Sequence, residues 1–182
     1  MALMKTLHGL SVYVDGIDYV GVAESFTPPD IVLEVEESNM PGHGGTIDIP
    51  TGRLEKLEAV FTVADAFPAL ETLVGRPSAV DTQVHFVKVS TDGAASRTVE
   101  YQLTGLWTQQ SVGEVSGRGG GGGGAAGRCQ YTVSIRTLTH RIDGREQRHI
   151  DLEQNIHRVA GQDVNASLTN ALRRGRRGGF RP

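Results

Sequence analysis

Three Asp-Gly pairs, Asp15-Gly16, Asp92-Gly93 and Asp143-Gly144, each stand between two stretches in which apolar and polar residues alternate. Asp-Gly tolerates the positive φ of a two-residue turn whose twist matches paired strands. Alternation is the period of a strand with one buried face. Together they predict three hairpins. Around the third, Tyr131, Val133 and Ile135 alternate with Thr132, Ser134 and Arg136. After the turn, Ile150 and Leu152 alternate with Asp151 and Glu153, and Gly161-Gln162-Asp163 closes the strand. Around the first, Leu10, Val12 and Val14 share a face, and Tyr19 to Ala23 forms the return strand. Around the second, strands are expected at 82–90 and 97–108. There Val99, Tyr101 and Leu103 face inward, while Thr98, Glu100, Gln102 and Thr104 make a polar row. Trp107, the only tryptophan, is expected to be half buried.

The segments between the hairpins extend the pattern. Pro28-Pro29 cannot donate to a ladder and marks a sheet edge or a link. Ile31, Leu33 and Val35 alternate with Val32, Glu34 and Glu36, which turns the glutamates away from the core, onto solvent or a cavity. Residues 38–45, SNMPGHGG, read as a turn-rich loop. Strands are expected at 46–49 and 54–63, with Leu57, Ala59, Phe61 and Val63 on one face. A short helix follows. Asp65 or Ala66 starts it, Pro68 lies in its first turn, Leu70, Leu73 and Val74 form its apolar stripe, and Gly75 stops it. A last helix is expected after Asp163 as N-cap, with Val164, Leu168, Ala171 and Leu172 on its apolar side. The fold class is therefore mainly β: a β-sandwich or partial barrel with one or two short α-helices.

At 182 residues the chain can bury the core of one domain. No run of apolar residues approaches the length of a membrane-spanning helix, and the first residues lack the apolar stretch of a secretory signal. Cys129 is alone, so no internal disulfide forms; it is expected to be a small buried residue. Charge is segregated. Residues 173–182 hold five arginines and no acid, whereas residues 1–172 hold 13 basic and 21 acidic groups, a balance of −8. An acidic body does not grip nucleic acid, because phosphate contacts need positive charge. The basic tail is a solvated segment, one docked on an acidic neighbour, or a nucleic-acid contact.

The sequence carries no catalytic or metal-binding motif. His43 has no second ligand at metal-binding spacing, and no histidine pair has the helical spacing with a Glu that a metalloprotease uses. Residues 117–127, GRGGGGGGAAG, are followed by Arg128-Cys129, not by the Gly-Lys-Ser/Thr of a phosphate-binding loop, and by a strand rather than a helix. They read as a hairpin tip. Asp151 and Glu153 share a strand face but form no acid–base site. No catalytic residue, metal ligand or cofactor is expected.

The ordered motifs GLSVYVDGIDYVGVAESFTPPDI, MPGHGGTIDIPTGRLEKLEAVFTV and IDG followed by IDLEQNIHRVAGQDVNASLTNALR resemble the major tail tube protein of contractile-tailed phages and related phage-tail-like particles. The resemblance covers roughly residues 5 to 172. It implies a single tail-tube domain at 1–172, with residues 117–127 as an inserted loop and 173–182 as a basic tail. It implies a structural virion protein whose hexameric rings stack into the inner tail tube, with strands from every copy in one barrel around the lumen. By the same resemblance, Asn39, Met40, Pro41, Gly42, His43, Gly44 and Gly45 form the contact between rings. The partners implied are the chain itself, the tail sheath protein, the tail tip or baseplate, the tail terminator, the tape measure protein during assembly, and genomic DNA in transit. Assembly would occur in the host cytoplasm.

Unpaired strand edges must be covered or used, and closing copies into a ring removes them. A barrel with polar residues inward leaves a water-filled channel. Glu34, Glu36, Glu100, Gln102 and Thr104 are the candidate lumen-facing residues, an acidic or neutral lining along which DNA slides. Arg173, Arg174, Arg176 and Arg177 are the candidate outer, sheath-contacting residues. Three alternatives stand beside this: the tube of a DNA-free contractile bacteriocin or injection particle, a type VI secretion inner-tube protein, whose architecture is shared but whose opening and closing motifs fit less well, and a monomeric nucleic-acid-binding module using the arginine-rich tail.

Overall fold

The computed structural model describes residues 6–18, 23–39, 44–64, 67–76, 82–92, 95–113 and 127–166. Their strands are β1 (Thr6–Val14), β2 (Ile17–Asp18), β3 (Ala23–Thr27), β4 (Leu33–Ser38), β5 (Ile47–Leu54) and β6 (Glu58–Val63). After the short helix α1 (Pro68–Glu71) come β7 (Gln83–Asp92), β8 (Ala95–Val112), β9 (Cys129–Ile142), β10 (Arg145–Asp151), β11 (Ile156–Val159) and β12 (Gln162–Asp163). One sheet runs β12-β11-β10-β9-β8-β7-β1-β2, with β6 pairing β9 and β3 pairing β6; β4 and β5 form a separate two-stranded sheet.

The two-residue turns form as expected where they are described. Asp15 and Gly16 have φ of 49° and 80°, Asp143 and Gly144 of 51° and 73°. They join Val14 to Ile17 and Ile142 to Arg145. Asp143 also binds sideways to β8: its N–H donates to Thr98 O at 2.9 Å, and its Oδ1 accepts the Thr98 N–H at 2.8 Å. Gly93 lies outside the described residues.

β9 organises the sheet. Along one edge it pairs with β8 for its whole length. Its other edge is shared: β6 takes Cys129 to Ser134 and β10 takes Thr137 to Ile142. The exchange occurs at a bulge. The β8–β9 register shifts between Thr104 and Gly105, and Gly105 stands opposite Ile135. Beside it, the Ile135 N–H donates to Leu57 O and the Leu152 N–H to Arg136 O. A bulge bends and twists its strand. Gly105 sits where the bend brings β9 closest: a Cβ there would lie 2.1 Å from Ser134 O.

The β3–β6 layer packs over the inner face of β1, β7 and β8. Phe26 stacks on Phe86 with ring centres 3.8 Å apart, and Phe61 meets Trp107 edge-on at 5.2 Å. Val12, Val14, Leu57, Ala59, Val63, Val84, Leu103, Tyr131 and Val133 fill the space between. The result is an open partial barrel; the sheet does not close on itself within one chain.

Several expectations need correction. Trp107 is not half buried but 1% exposed, because its indole lies between Phe61 and Tyr131. The second strand of the last hairpin does not run to Gly161. It ends at Asp151, turns through Asn155 (φ 53°), and resumes as β11; Ala160-Gly161 makes a further turn to β12. Leu152 therefore stands in a turn and is exposed, not in an alternating strand. The expected strand 54–63 is broken, with Leu54 ending β5 and Glu58 starting β6. Helix α1 begins at Pro68 with Phe67 as its cap, and Leu70 is its buried residue; Asp65 and Ala66 lie outside the described residues. Asp163 ends β12, and its Oδ1 accepts the Asn165 N–H at 3.0 Å. Val164, expected on an apolar helix face, is exposed. Leu168, Ala171 and Leu172 lie outside the described residues.

Candidate functional site: a polar sheet face and a projecting ribbon

The register of the main sheet places polar residues of six strands on its outer face. Tyr13, His85, Gln102, Thr139, His149 and Arg158 stand side by side across β1, β7, β8, β9, β10 and β11. On one side of this row lie Val87, Glu100, Arg141 and Glu146; on the other lie Gln83, Thr104, Thr137, Asp151 and Ile156. Six strands at about 4.8 Å spacing make a face about 24 Å wide. Its groups engage one another. The Thr104 and Thr137 hydroxyls are 2.5 Å apart, Thr139 Oγ1 lies 2.9 Å from His149 Nδ1, and His85 Nε2 lies 4.0 Å from Glu100.

Glu100, Gln102 and Thr104 occupy successive positions of β8 on this face. Glu34 and Glu36 do not join them; they lie on β4, in the separate ribbon. There Thr51 Oγ1 donates to Glu34 O at 3.0 Å and sits 3.3 Å from Glu34 Oε2. The face is not purely acidic or neutral either. Arg141 stands directly between Glu100 and Glu146, the alternation of sign that favours cross-strand pairs.

Sequence reasoning missed the contribution of β9 and β10. Tyr131, Val133 and Ile135 point inward, and the same parity would turn Thr137 and Thr139 inward too. The bulge reverses the parity, so Leu138 is buried and the threonines face out. The signal was present: Leu138 is out of phase with Ile135. The reversal also turns two histidines inward. His140 stacks on Tyr101 at 4.4 Å and 3°, and His157 is buried. Burial, reinforced by the positive charge of Arg148, holds both below the ordinary histidine range; Asp163 partly opposes this at His157.

The ribbon is the second feature. Alternation in 31–36 implied one buried face, yet only Ile31 packs on the core. Leu33 and Val35 are each 47% exposed, and Ile47 and Ile49 are similarly uncovered. Among the described residues, none buries Leu33, Val35, Ile47 or Ile49. Among the described residues, no three His, Cys, Asp or Glu side chains converge as metal ligands do.

The model of the family described as phage tail tube protein FII matches residues 4–172. The chain belongs to that family. It is a structural tail-tube protein, a component of a phage or phage-tail-like particle. No curated protein sequence matches it. In fold it is similar to a chain of the sheath-tube complex of an extracellular contractile injection system, PVC, in its extended state. That match has a TM-score of 0.53 and 11% identity, covering 73% of this chain and 88% of the other. It is also similar to the tube-terminating cap of the anti-feeding prophage, with a TM-score of 0.53 and 13% identity over 78% of this chain and 94% of the other. These likenesses agree with the β-rich open fold.

The ribbon carries residues 39–45, the loop expected above to form the contact between rings. Asn39, Gly44 and Gly45 stand exposed at its tip; Met40, Pro41, Gly42 and His43 lie outside the described residues. So do Arg173, Arg174, Arg176 and Arg177, and all of the glycine-rich run except Gly127.

Proposed function

We propose that six copies of this chain form a ring and that stacked rings make the inner tube of a contractile tail, the conduit through which DNA passes. The observation that carries this is the polar face: one chain builds an apolar core on one side of an open sheet and a hydrogen-bonded polar wall on the other. Several such walls set edge to edge enclose a wet channel. Glu100, Gln102 and Thr104 line it, with Thr137, Thr139 and His149 beside them. Arg141 between two glutamates keeps the lining near neutrality, so phosphates slide without being held. Glu34 and Glu36 reach the lumen only if the ribbon lies along it.

The ribbon, with the loop Asn39 to Gly45, extends from one copy to the next. The outer surface and the arginine-rich tail meet the sheath. A terminator and a tail tip or baseplate close the two ends, and a tape measure protein occupies the lumen during assembly in the host cytoplasm. The protein's role is mechanical, with no catalysis. A second reading is favoured by the fold likeness to contractile injection system proteins: the same tube in a particle that carries no DNA.

Negative-stain electron microscopy of the purified chain at high concentration, with its mass in solution, tests the ring. Rings with a central hole or stacked tubes are expected. A monomer at every concentration, in the presence of preformed tail tips as well, overturns it.

A further inference from the structure

The ribbon needs a receptor, and the main body offers one. Between β3 and the inner face of β1, β7 and β8 lies a half-open groove of about 310 Å³, lined by Leu10, Phe26, Pro28, Phe86, Val99 and Tyr101. Lys88 and Glu24 stand at its margin. Glu24 is engaged by Arg128 at 2.7 Å, while Lys88 is exposed and has no ion pair among the described residues. The margin is therefore positive.

The ribbon has the complementary character. On one of its faces Val35 stands opposite Pro50, and Glu37 opposite Asp48. Two carboxylates directly opposed across a strand pair repel each other, and no cation of the described chain pairs with either. An apolar step is thus followed, two residues on, by a carboxylate pair without a counter-charge. In the groove, Phe86 is followed, two residues on, by Lys88 on the same face of β7. Both spacings are those of alternate residues along a strand, about 7 Å.

Building on the assembly reading above, we infer that the ribbon of one copy seats in the β3–β7–β8 groove of a second copy. Leu33, Val35 and Pro50 cover Leu10, Phe26 and Tyr101, and Glu37 and Asp48 close on Lys88. The contact joins two different surfaces, so it propagates head to tail, into a closed ring or a stacked filament.

Glu37→Cys and Lys88→Cys chains, mixed in equal amounts, assembled and oxidised, test the contact; the native Cys129 is fully buried and does not interfere. A disulfide-linked dimer in the mixture, absent from either variant alone, is expected. Lys88→Glu should raise the protein concentration needed for half assembly by roughly three- to tenfold, and adding Glu37→Lys should restore it. Both sites are on the surface, and native circular dichroism checks the fold of each variant. Normal tubes with no mixed disulfide and no effect of Lys88→Glu overturn this contact and leave the tube reading standing. Failure of the wild-type chain to associate at all overturns both.

Discussion

Gly105→Ala tests the bend on which the whole sheet depends. The added Cβ would lie 2.1 Å from Ser134 O and 2.9 Å from Ile135 Cα. An ordinary carbon–oxygen contact is about 3.3–3.6 Å, so the backbones must part by roughly 1.2–1.5 Å. The obstructing atoms are main chain, and no side-chain rotation relieves them. Separation weakens the pairs Gly105–Ile135 and Leu106–Ser134, at about 1 kcal/mol for each hydrogen bond lost. Overpacking adds about 1–3 kcal/mol. The substitution is therefore expected to destabilise the chain by about 3–5 kcal/mol, and to lower Tm by on the order of 10 °C. Urea unfolding followed by circular dichroism measures it. Gly9→Ala is the control, since a Cβ at Gly9 meets nothing within 4 Å. If Gly105→Ala unfolds within about 1 kcal/mol of wild type, β9 does not exchange partners at this bulge, and the reversal of face after Ile135 loses its cause.

Further expectations follow from single side chains. The unfolded chain binds protons at His140 and His157 near the ordinary pKa of about 6.5, whereas burial and Arg148 delay this in the folded chain. Stability is therefore expected to fall as pH drops below about 6.5 and through the lowered folded-state values; a His140→Phe, His157→Phe double variant should show a flatter urea-midpoint profile, and an unchanged slope would contradict the assignment. Asp143→Ala removes the acceptor held by the Thr98 N–H and should cost about 1–2 kcal/mol, while Asp143→Asn, which keeps an acceptor and tolerates positive φ, should cost much less. Trp107→Ala should cost about 3–5 kcal/mol, and native Trp107 fluorescence should sit at the blue, buried end of the range; a solvent-like native spectrum would refute its packing against Phe61 and Tyr131.

What was legible in the sequence was local. Asp15-Gly16 and Asp143-Gly144 specify their turns by backbone conformation alone, and the alternation in 57–63 and 129–135 reports a face buried within the same chain. Features that depend on two segments at once were not legible. The bulge opposite Gly105 arises from how β8 and β9 fit together, so the alternation up to Ile135 does not carry on to the faces of Thr137 and Thr139. Trp107 is fully covered because the β3–β6 layer folds over it, which strand patterning does not encode. The ribbon is the informative failure. Its alternation promised a buried face, and the described residues supply no cover for Leu33 and Val35. On the assembly proposed above, a second copy covers them.

The most direct test of the channel is the accessibility of its wall. Gln102→Cys places a thiol on the polar face of β8, in a chain whose own Cys129 is fully buried. In the monomer, a small maleimide and a bulky polymer-linked maleimide should both react. In assembled tubes, the small reagent should still react and the bulky one should be excluded. Equal labelling by both reagents in intact tubes would show that the polar face lies on the outside, and would contradict the account.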